Sequence, residues 1–378
     1  MKVVFAIDSF KGSLSSLAAG EAAAAGARDV FLDAETIVRP LADGGEGTVD
    51  ALVAGMGGER RVLTVTGPAG RPVSAAYGIL PGGTAVIEMA AAAGITLVTG
   101  AEKNPLLTTT FGVGEMIADA VRSGCRRFVI GIGGSATNDG GAGMLQALGF
   151  GLLDDEGKDI PRGGAGLERL KRVTWERALP GLAECAFRIA CDVTNPLCGP
   201  NGASAVFGPQ KGATPEMVKR LDAALAHFAA ISGGDATYPG TGAAGGLGFA
   251  FRTFLRGELQ RGVEIVLAET HLEDFVRTAD IVVTGEGRLD AQTAMGKAPA
   301  GVAALAKRFG KPVIAFSGCV TPDAEVVNDH GIDAFFPVLR TVCTLDEALD
   351  VRNAAANLRA TSRQVFRLWS AANGVNAS

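Results

Sequence analysis

A glycine-rich segment, residues 130–144 (IGIGGSATNDGGAGM), constrains the fold of this chain more than any other stretch. It follows residues 126–130, which are predicted to run into a buried strand, and it precedes residues 144–150, whose apolar spacing indicates a helix. Glycine permits positive φ angles and lets backbone N–H groups come close to a ligand. A glycine turn between a strand and a helix N-terminus also offers unpaired donors, which suit phosphate. The alternative is a flexible surface loop.

The same arrangement recurs elsewhere in the chain. Residues 3–7 form an apolar strand that ends in DSFKGSLS, where Ser13 or Ser15 can cap the alanine-rich helix that follows. Residues 36–38 run into PLADGGEGT, and residues 280–284 run into GEGRLDAQT. In open parallel sheets, ligands bind at the carboxyl ends of such strands.

The middle of the chain has a different pattern. Residues 64–66, 73–79 and 85–88 read as short strands separated by Pro/Gly turns, which favours a meander or a mixed sheet. We therefore predict an α/β protein with a Rossmann-like, doubly wound domain built from both chain ends (1–65 and 270–378). A second α/β domain of mixed sheet (66–269) is predicted to be inserted into it.

Composition narrows the class of protein. The formal net charge of −5 argues against nucleic acid or an anionic membrane as the main partner. The longest apolar stretch, residues 85–98, contains Glu88 and is too short for a membrane span. The apolar start is broken at Asp8, so no signal peptide is expected. The six cysteines form no C-x-x-C pair, which favours reduced thiols in a cytoplasmic protein.

Two stretches fit the dinucleotide-binding fingerprint formally. Residues 131–136 match G-x-G-x-x-A, but Asp139 lies where it would repel a pyrophosphate unless a cation lay between them. Residues 240–245 match G-x-G-x-x-G without a convincing strand before them. A Walker loop, G-x-x-x-x-G-K-[ST], is absent, because neither Lys211 nor Lys297 stands at the position that this pattern requires.

Acidic and basic residues collect in the glycine-rich turns after predicted strands. The acids are Asp8, Asp43, Glu46, Asp139, Asp192, Glu286 and Asp290, and the bases are Lys11, Lys211, Arg288 and Lys297. Phosphoryl transfer needs this mixture, because carboxylates hold Mg²⁺ and orient the attacking hydroxyl while cations neutralise developing charge. The three histidines lie in polar, helix-like surroundings, which argues against a Ser-His-Asp or zinc centre.

Seven blocks of sequence, in this order, resemble the glycerate kinase family of the glycerate 2-kinase type. They are DSFKGSLS, PLADGGEGT, IGGSATNDGGAGM, CDVTNPLCGPNGAS, FGPQKGA, PGTGAAGGLG and TGEGRLDAQTAMGK. The resemblance covers residues 1 to about 369. It implies ATP- and Mg²⁺-dependent phosphorylation of D-glycerate to 2-phosphoglycerate. It also implies a Rossmann-like domain from both chain ends, an inserted α/β domain and an active site in the cleft between them.

Within this resemblance, we expect the glycine-rich segment to bind the ATP phosphates. The residues expected to do so are Gly133, Gly134, Ser135, Ala136, Thr137, Asn138 and Gly140. Asp139 is expected to reach the metal through water. Asp43 and Asp290 are candidates for Mg²⁺ or for a hydroxyl of glycerate.

Asp192 is the candidate catalytic base, because it ends a predicted apolar strand. Lys11 and Arg288 are candidates for the glycerate carboxylate or the transferred phosphoryl group, and Asp43 is a further catalytic candidate. The expected substrate-binding residues also include Asp8, Ser9, Thr194 and Asn195. A monomer or homodimer is expected. The competing functions are a NAD-dependent hydroxy-acid dehydrogenase and a non-catalytic nucleotide-binding regulator.

Overall fold

A computed structural model describes residues 1–374 of the chain. The strands in this range are β1 (Lys2–Ile7), β2 (Glu35–Val38), β3 (Glu59–Thr66), β4 (Pro72–Leu80), β5 (Thr84–Glu88), β6 (Arg127–Gly131), β7 (Gly151–Leu153), β8 (Arg172–Thr174), β9 (Ala186–Ala190), β10 (Glu258–Gln260), β11 (Ile281–Leu289), β12 (Val313–Val320) and β13 (Ala334–Pro337).

The helices are α1 (Ser16–Arg28), α2 (Thr48–Met56), α3 (Ala90–Ala93), α4 (Phe111–Arg122), α5 (Ala142–Ala147), α6 (Ala203–Phe207), α7 (Pro215–Ser232), α8 (Ala243–Leu255), α9 (Gly262–Glu269), α10 (Leu272–Thr278), α11 (Ala291–Ala294), α12 (Ala298–Arg308), α13 (Leu345–Leu349) and α14 (Val351–Asn373). Within residues 1–374, none of these helices has both the length and the apolar composition that crossing a membrane requires.

The chain divides into two compact units. The first contains Met1–Asp43, Ala54–Met56 and the described part of Val266–Ser378, and the second contains Gly44–Val53 and Gly57–Ile265. The first boundary predicted from the sequence, at residue 65, falls within β3. This strand pairs along its whole length with β4, and the hydrogen bonds of that pairing place it in the second unit.

The first unit is built on a parallel sheet with the strand order β13-β12-β11-β1-β2. Side chains alternate between the two faces of a strand. Phe5 and Ile7 of β1 accordingly join the core formed with α1 and α14, whereas Val4 and Ala6 are fully buried on the opposite face. Helices α10 and α12 also pack against the sheet. Burial of both faces is the mark of a doubly wound unit.

Helices α1 and α14 lie close together in the first unit. A Cβ on Gly26 would lie 2.3 Å from the carbonyl oxygen of Arg359, so only glycine fits at this crossing. Ser362 donates a hydrogen bond to the carbonyl of Ala23 (2.7 Å), and the Arg359 guanidinium binds both carboxylate oxygens of Asp29. The last long helix of the chain is therefore fastened to the first.

The second unit contains a six-stranded mixed sheet with the order β10-β9-β6-β5-β4-β3. Strands β3, β4 and β5 are antiparallel neighbours, as the meander pattern predicts, and β5, β6, β9 and β10 are parallel. Strands β7 and β8 form a separate antiparallel pair. The predicted fold class, a doubly wound unit from both chain ends with a mixed-sheet α/β unit between them, is confirmed.

Local sequence signals set several helix ends. Ser15 caps α1 by accepting a hydrogen bond from Ala18 N (3.2 Å), and Thr214 caps α7 by accepting one from Met217 N (3.3 Å). Pro215 occupies the first position of α7, where its missing N–H is no loss. These starts agree with the sequence patterns.

Elsewhere tertiary structure overrides the pattern. Strand β11 continues to Leu289, although the sequence predicts a turn from Gly285, because β12 pairs with it as far as Val320. Glu286 therefore lies on a strand. The capping box at Thr344 opens the short helix α13, and the long C-terminal helix starts separately after Asp350.

Candidate functional site

Acidic residues of the first unit gather at the carboxyl end of its parallel sheet. Asp8 directly follows β1, and its N–H donates to the carbonyl of Gly285 on β11 (2.9 Å). Ile7 pairs with Gly285, so the next residues, Asp8 and Glu286, lie side by side on adjacent strands. Asp43 follows β2, the strand on the other side of β1. Three neighbouring strands thus bring three carboxylates together near the carboxyl end of the sheet.

The proximity of these carboxylates perturbs their ionisation. Burial raises the pKa of Asp8 from 3.8 to about 7, and the charges of Asp43 and Glu286 add to this rise. The N–H of Ser9 (2.7 Å) and the charge of Lys11 act in the opposite direction. Burial also raises the pKa of Glu286, although Thr293 donates a hydrogen bond to its Oε1. Negative charges that are held close together in a part-buried site favour the binding of a cation, which offsets their mutual repulsion.

Asp290 has a different environment from the other acids. It caps α11 by accepting a hydrogen bond from Gln292 N (3.0 Å), and its own N–H bonds to the Thr293 hydroxyl. Its carboxylate lies 3.4 Å from both Arg288 Nε and Lys297 Nζ. Asp290 therefore already serves as a helix cap and as the anchor of two cations. This arrangement fits poorly with the metal role expected for it.

The cations of the first unit remain accessible. Lys11 is exposed in the turn that follows Asp8, and the side chain of Arg288 is 67% exposed despite its ion pair. Ser9 is part-buried, and its backbone holds the Asp8 carboxylate. The positive charges lie beside carboxylates: Lys11 near Asp8, and Arg288 and Lys297 at Asp290.

In the second unit, the glycine-rich segment begins where β6 ends. Gly133 and Gly134 are exposed and Ser135 is 8% exposed. Gly134 adopts φ +72°, and its carbonyl accepts a hydrogen bond from Ile95 N (2.8 Å), which fixes the turn. Within residues 1–374, the N–H groups of Gly133, Gly134 and Ser135 make no hydrogen bond. This stretch is a backbone surface of unpaired donors of the kind that binds phosphate.

The rest of the segment does not match the expectation of phosphate contacts. The residues concerned are Ala136, Thr137, Asn138 and Gly140, and all four are buried. Ala136 N donates to Ala93 O and Gly140 N donates to Gly245 O, both at 2.9 Å. The backbone donors of Ala136 and Gly140 are therefore used inside the unit, and the side chains of Thr137 and Asn138 are fully buried. Of the predicted set, Gly133 and Gly134 are exposed and Ser135 lies next to them.

Asp139 is a structural anchor, which corrects its expected role at a metal. It is 0% exposed, and burial raises the pKa of its carboxyl. Its Oδ2 accepts hydrogen bonds from the N–H (2.8 Å) and hydroxyl (2.9 Å) of Thr110 and from Gly143 N (3.2 Å), and its Oδ1 accepts one from Gly141 N (3.1 Å). These four donors occupy both oxygens and tie the segment to the starts of α4 and α5.

Lys211 is a residue that the sequence pattern did not place in the site. Its side chain is 1% exposed, and Nζ donates to the carbonyl of Thr137 at 2.7 Å. Burial lowers the pKa of this ammonium group to about 7, and the charge of Asp139 opposes the shift. A phosphate-loop lysine is recognised in sequence by its fixed spacing from the glycines of the loop. Lys211 is not at that spacing, because it reaches the segment from a turn that is distant in sequence.

Asp192 follows β9 and is exposed, as a residue at a strand end should be. Its Oδ1 accepts a hydrogen bond from Gly262 N (3.1 Å), the first residue of α9. Asn195 donates from Nδ2 to Asn201 O (2.9 Å), and its carbonyl accepts from Gly242 N (3.0 Å). Thr194 is exposed between them. The contacts of Asp192 and Asn195 connect loops of the second unit.

The carboxylates of the first unit have the chemistry of a magnesium site. Within residues 1–374, no three His, Cys, Asp or Glu side chains lie close enough together to enclose a metal ion. Mg²⁺ is usually bound through one or two carboxylates together with waters and substrate phosphates. Asp43 and Glu286, which push the pKa of Asp8 upward, are suitable as such a pair.

Comparison with known proteins identifies relatives along the whole chain. The sequence model of the Glycerate kinase family matches residues 3–370. A glycerate kinase of Haemophilus influenzae is 50% identical over 374 residues, which cover 97% of this chain and 98% of that protein. A glycerate 2-kinase of Escherichia coli K12 is 49% identical, with 97% of each chain covered. The crystal structure of a protein described as a glycerate kinase 2 from Salmonella typhimurium LT2 superposes with a TM-score of 0.91 at 49% identity, covering 99% of both chains.

Proposed function

The chain belongs to the glycerate kinase family, and we propose that it transfers the γ-phosphoryl group of ATP to the 2-hydroxyl of D-glycerate, giving 2-phosphoglycerate and ADP. The relative from Escherichia coli, named glycerate 2-kinase, supports this choice of hydroxyl. The observation that carries the proposal is the group formed by Asp8, Asp43 and Glu286 near the carboxyl end of the parallel sheet, where the pKa of Asp8 is raised to about 7.

We propose that ATP binds through the backbone of Gly133, Gly134 and Ser135. Their N–H groups have no partner within residues 1–374, and phosphate oxygens are acceptors only. Backbone donors bind phosphate without a charged side chain, so the absence of a Walker lysine is no obstacle.

We propose Asp8 as the base, in place of Asp192. In the protein without bound metal, burial raises the pKa of Asp8 to about 7, with smaller contributions from Asp43 and Glu286. Asp8 also lies at the carboxyl end of the parallel sheet, where ligands bind in open α/β folds. The carboxylate of Asp8 orients the 2-hydroxyl and accepts its proton as the new O–P bond forms and the bond to the β-phosphate breaks. The hydrogen bond of Asp192 to Gly262 supports a structural role for that residue.

The remaining groups of the first unit are assigned by charge. Asp43 and Glu286 would hold Mg²⁺, which when bound neutralises negative charge on the ATP phosphates. Lys11 and Arg288 are exposed cations, suited to the carboxylate of glycerate or to the phosphoryl group during transfer. Asp290 keeps Arg288 and Lys297 in place through its ion pairs. We further infer a cytoplasmic location, because all six cysteines, which lie within residues 1–374, are free thiols.

Release of ADP tests the reaction class. The purified protein with ATP, Mg²⁺ and D-glycerate should form ADP, detected through pyruvate kinase and lactate dehydrogenase, and should form none without glycerate. The NAD-dependent dehydrogenase alternative predicts instead that NAD⁺ is reduced in the presence of a hydroxy acid and that ATP has no effect. Stabilisation by ATP in a thermal melt without any turnover would indicate the nucleotide-binding regulator.

A further inference from the structure

Lys211 is a costly residue to bury. Its side chain is 1% exposed, and lysine is almost never fully buried unless it is paired. Burial pushes the pKa of its ammonium group down to about 7, although the charge of Asp139 opposes the shift. Burying a charged group costs free energy that its contacts must offset, so a buried charge is weak evidence for a stabilising role. The burial of Lys211 therefore calls for an explanation from the contacts that it makes.

The contact made by Lys211 is specific to the glycine-rich segment. Nζ donates to the backbone carbonyl of Thr137 at 2.7 Å, and Thr137 itself is 0% exposed. The segment is rich in acceptors there, because Thr137 Oγ1 and Asn138 Oδ1 are buried and have no hydrogen-bond partner within residues 1–374. A side chain with three donors and no acceptor suits such surroundings.

The turn that carries Lys211 is held rigidly. Lys211 ends the short turn Pro209–Lys211, and the next residue, Gly212, adopts φ +93°. A Cβ on Gly212 would lie 2.0 Å from the carbonyl oxygen of Lys103, so the backbone of the turn packs directly against the backbone of the loop around Lys103. The side chain of Lys211 is thus delivered from a fixed backbone.

Two buried groups therefore fix the segment from different sides. Lys211 holds the carbonyl of Thr137, and Asp139 holds the N–H groups of Gly141 and Gly143 together with Thr110. The unpaired N–H donors of Gly133, Gly134 and Ser135 end only two residues before Thr137. A shift of the Thr137 carbonyl would turn the peptide planes that precede it.

We propose that Lys211 is a positioning residue for the phosphate-binding backbone: its bond to Thr137, added to the bonds of Gly134 O with Ile95 N and of Ala136 N with Ala93 O, fixes the direction of the N–H groups of Gly133, Gly134 and Ser135. The proposal rests on the proposed function for its ATP ligand, but the rigidity of the segment is independent of it. The role proposed for Lys211 needs no direct contact with the phosphate. Its effect is exerted through Thr137.

The experiment compares Lys211→Met, which removes every donor, with Lys211→Gln, which keeps a shorter donor. Hydrogen exchange of a peptide covering residues 130–144 is measured without ligand, and KM and kcat for ATP are measured in parallel. We expect faster exchange of this peptide and a KM for ATP raised roughly ten- to a hundredfold in Lys211→Met, with kcat lowered less. Lys211→Gln should recover part of both effects.

Phe128→Leu serves as the stability control. Phe128 lies at the start of β6, is 1% exposed and stacks on Phe187 at 4.7 Å, so its replacement weakens the same unit at the end of β6 away from the segment. This variant should change neither the exchange of residues 130–144 nor the KM for ATP. If it raises KM as much as Lys211→Met does, general loss of stability explains the effect and the proposal is overturned.

The two assays separate the possible failures. Unchanged exchange and unchanged KM, in whichever Lys211 variant folds, overturn the positioning role. A wild-type protein without kinase activity contradicts the proposed function, yet faster exchange in the variants still supports control of the segment by Lys211.

Discussion

Asp8, which directly follows β1, lies beside Glu286 on the adjacent parallel strand β11, in a register fixed by the bond from Asp8 N to Gly285 O (2.9 Å). Asp43 adds a third negative group, and the pKa of Asp8 rises to about 7. Like charges at close range oppose folding, so the arrangement is more readily explained by function than by stability.

Replacement of Asp8 by Asn tests its role as the base. The variant keeps the size of the side chain but removes the proton acceptor, so kcat should fall roughly a hundredfold or more. Asp192→Asn is the matched control, and its kcat should fall less than about fivefold. Steady-state kinetics with saturating ATP and glycerate measure both. A large loss in Asp192→Asn with little loss in Asp8→Asn would return the base role to Asp192.

The raised pKa of Asp8 predicts how stability depends on pH. The unfolded chain releases this proton near pH 4, whereas the folded protein keeps it to about pH 7. The folded state binds more protons between these values, so this contribution to stability is complete below about pH 4 and is lost as the pH rises to about 7. Asp8→Asn lacks this dependence.

Urea denaturation without Mg²⁺, at pH 5 and at pH 8, measures the effect. The free energy of unfolding of Asp8→Asn minus that of the wild type should be larger at pH 8 than at pH 5. Equal differences at the two pH values would show that Asp8 ionises normally in the folded protein.

Gly134→Ala tests the donor surface. Gly134 adopts φ +72°, where alanine is strained by roughly 1–2 kcal/mol, and the new Cβ would lie 3.6 Å from that of Ala90. Gly124→Ala introduces similar strain at φ +92° in the turn after α4, with no atom within 4 Å of the new Cβ. Both variants should lose similar stability, but only Gly134→Ala should bind ATP at least about tenfold more weakly in calorimetry. Equal ATP affinities would locate the phosphates elsewhere.

Asp139→Asn and Asp43→Asn separate anchoring from metal binding. The new amide group in Asp139→Asn would face N–H donors that now bind a carboxylate, so this variant should lower the free energy of unfolding on the order of 3 kcal/mol. The Mg²⁺ concentration for half-maximal rate should stay unchanged. Asp43→Asn should raise that concentration while stability stays near that of the wild type. The reverse pattern would restore Asp139 as a metal residue.

The sequence predicts the parts of this molecule that local chemistry determines. Ser15 and Thr214 cap the expected helices, and Asp8 follows its strand at the carboxyl end of a parallel sheet, because caps and strand ends depend on neighbouring residues. The glycine pattern also identifies Gly133 and Gly134, the exposed part of its segment.

The remaining features depend on contacts that are distant in sequence. Asp139 lies in a glycine-rich turn but is buried, because Thr110, 29 residues earlier, supplies its donors. Lys211 reaches Thr137 across 74 residues. Glu286 lies on a strand only because β12 extends the pairing of β11. No local pattern encodes such partners.

The position of the new phosphate tests the central claim most directly. Wild-type protein is incubated with ATP, Mg²⁺ and D-glycerate, and the product is passed to enolase, pyruvate kinase and lactate dehydrogenase in the presence of NADH. No phosphoenolpyruvate is added, so enolase is its only source, and a reaction lacking enolase gives the background. We predict enolase-dependent oxidation of NADH without phosphoglycerate mutase, because enolase accepts 2-phosphoglycerate. An enolase-dependent signal that appears only when mutase is added would contradict phosphorylation of the 2-hydroxyl.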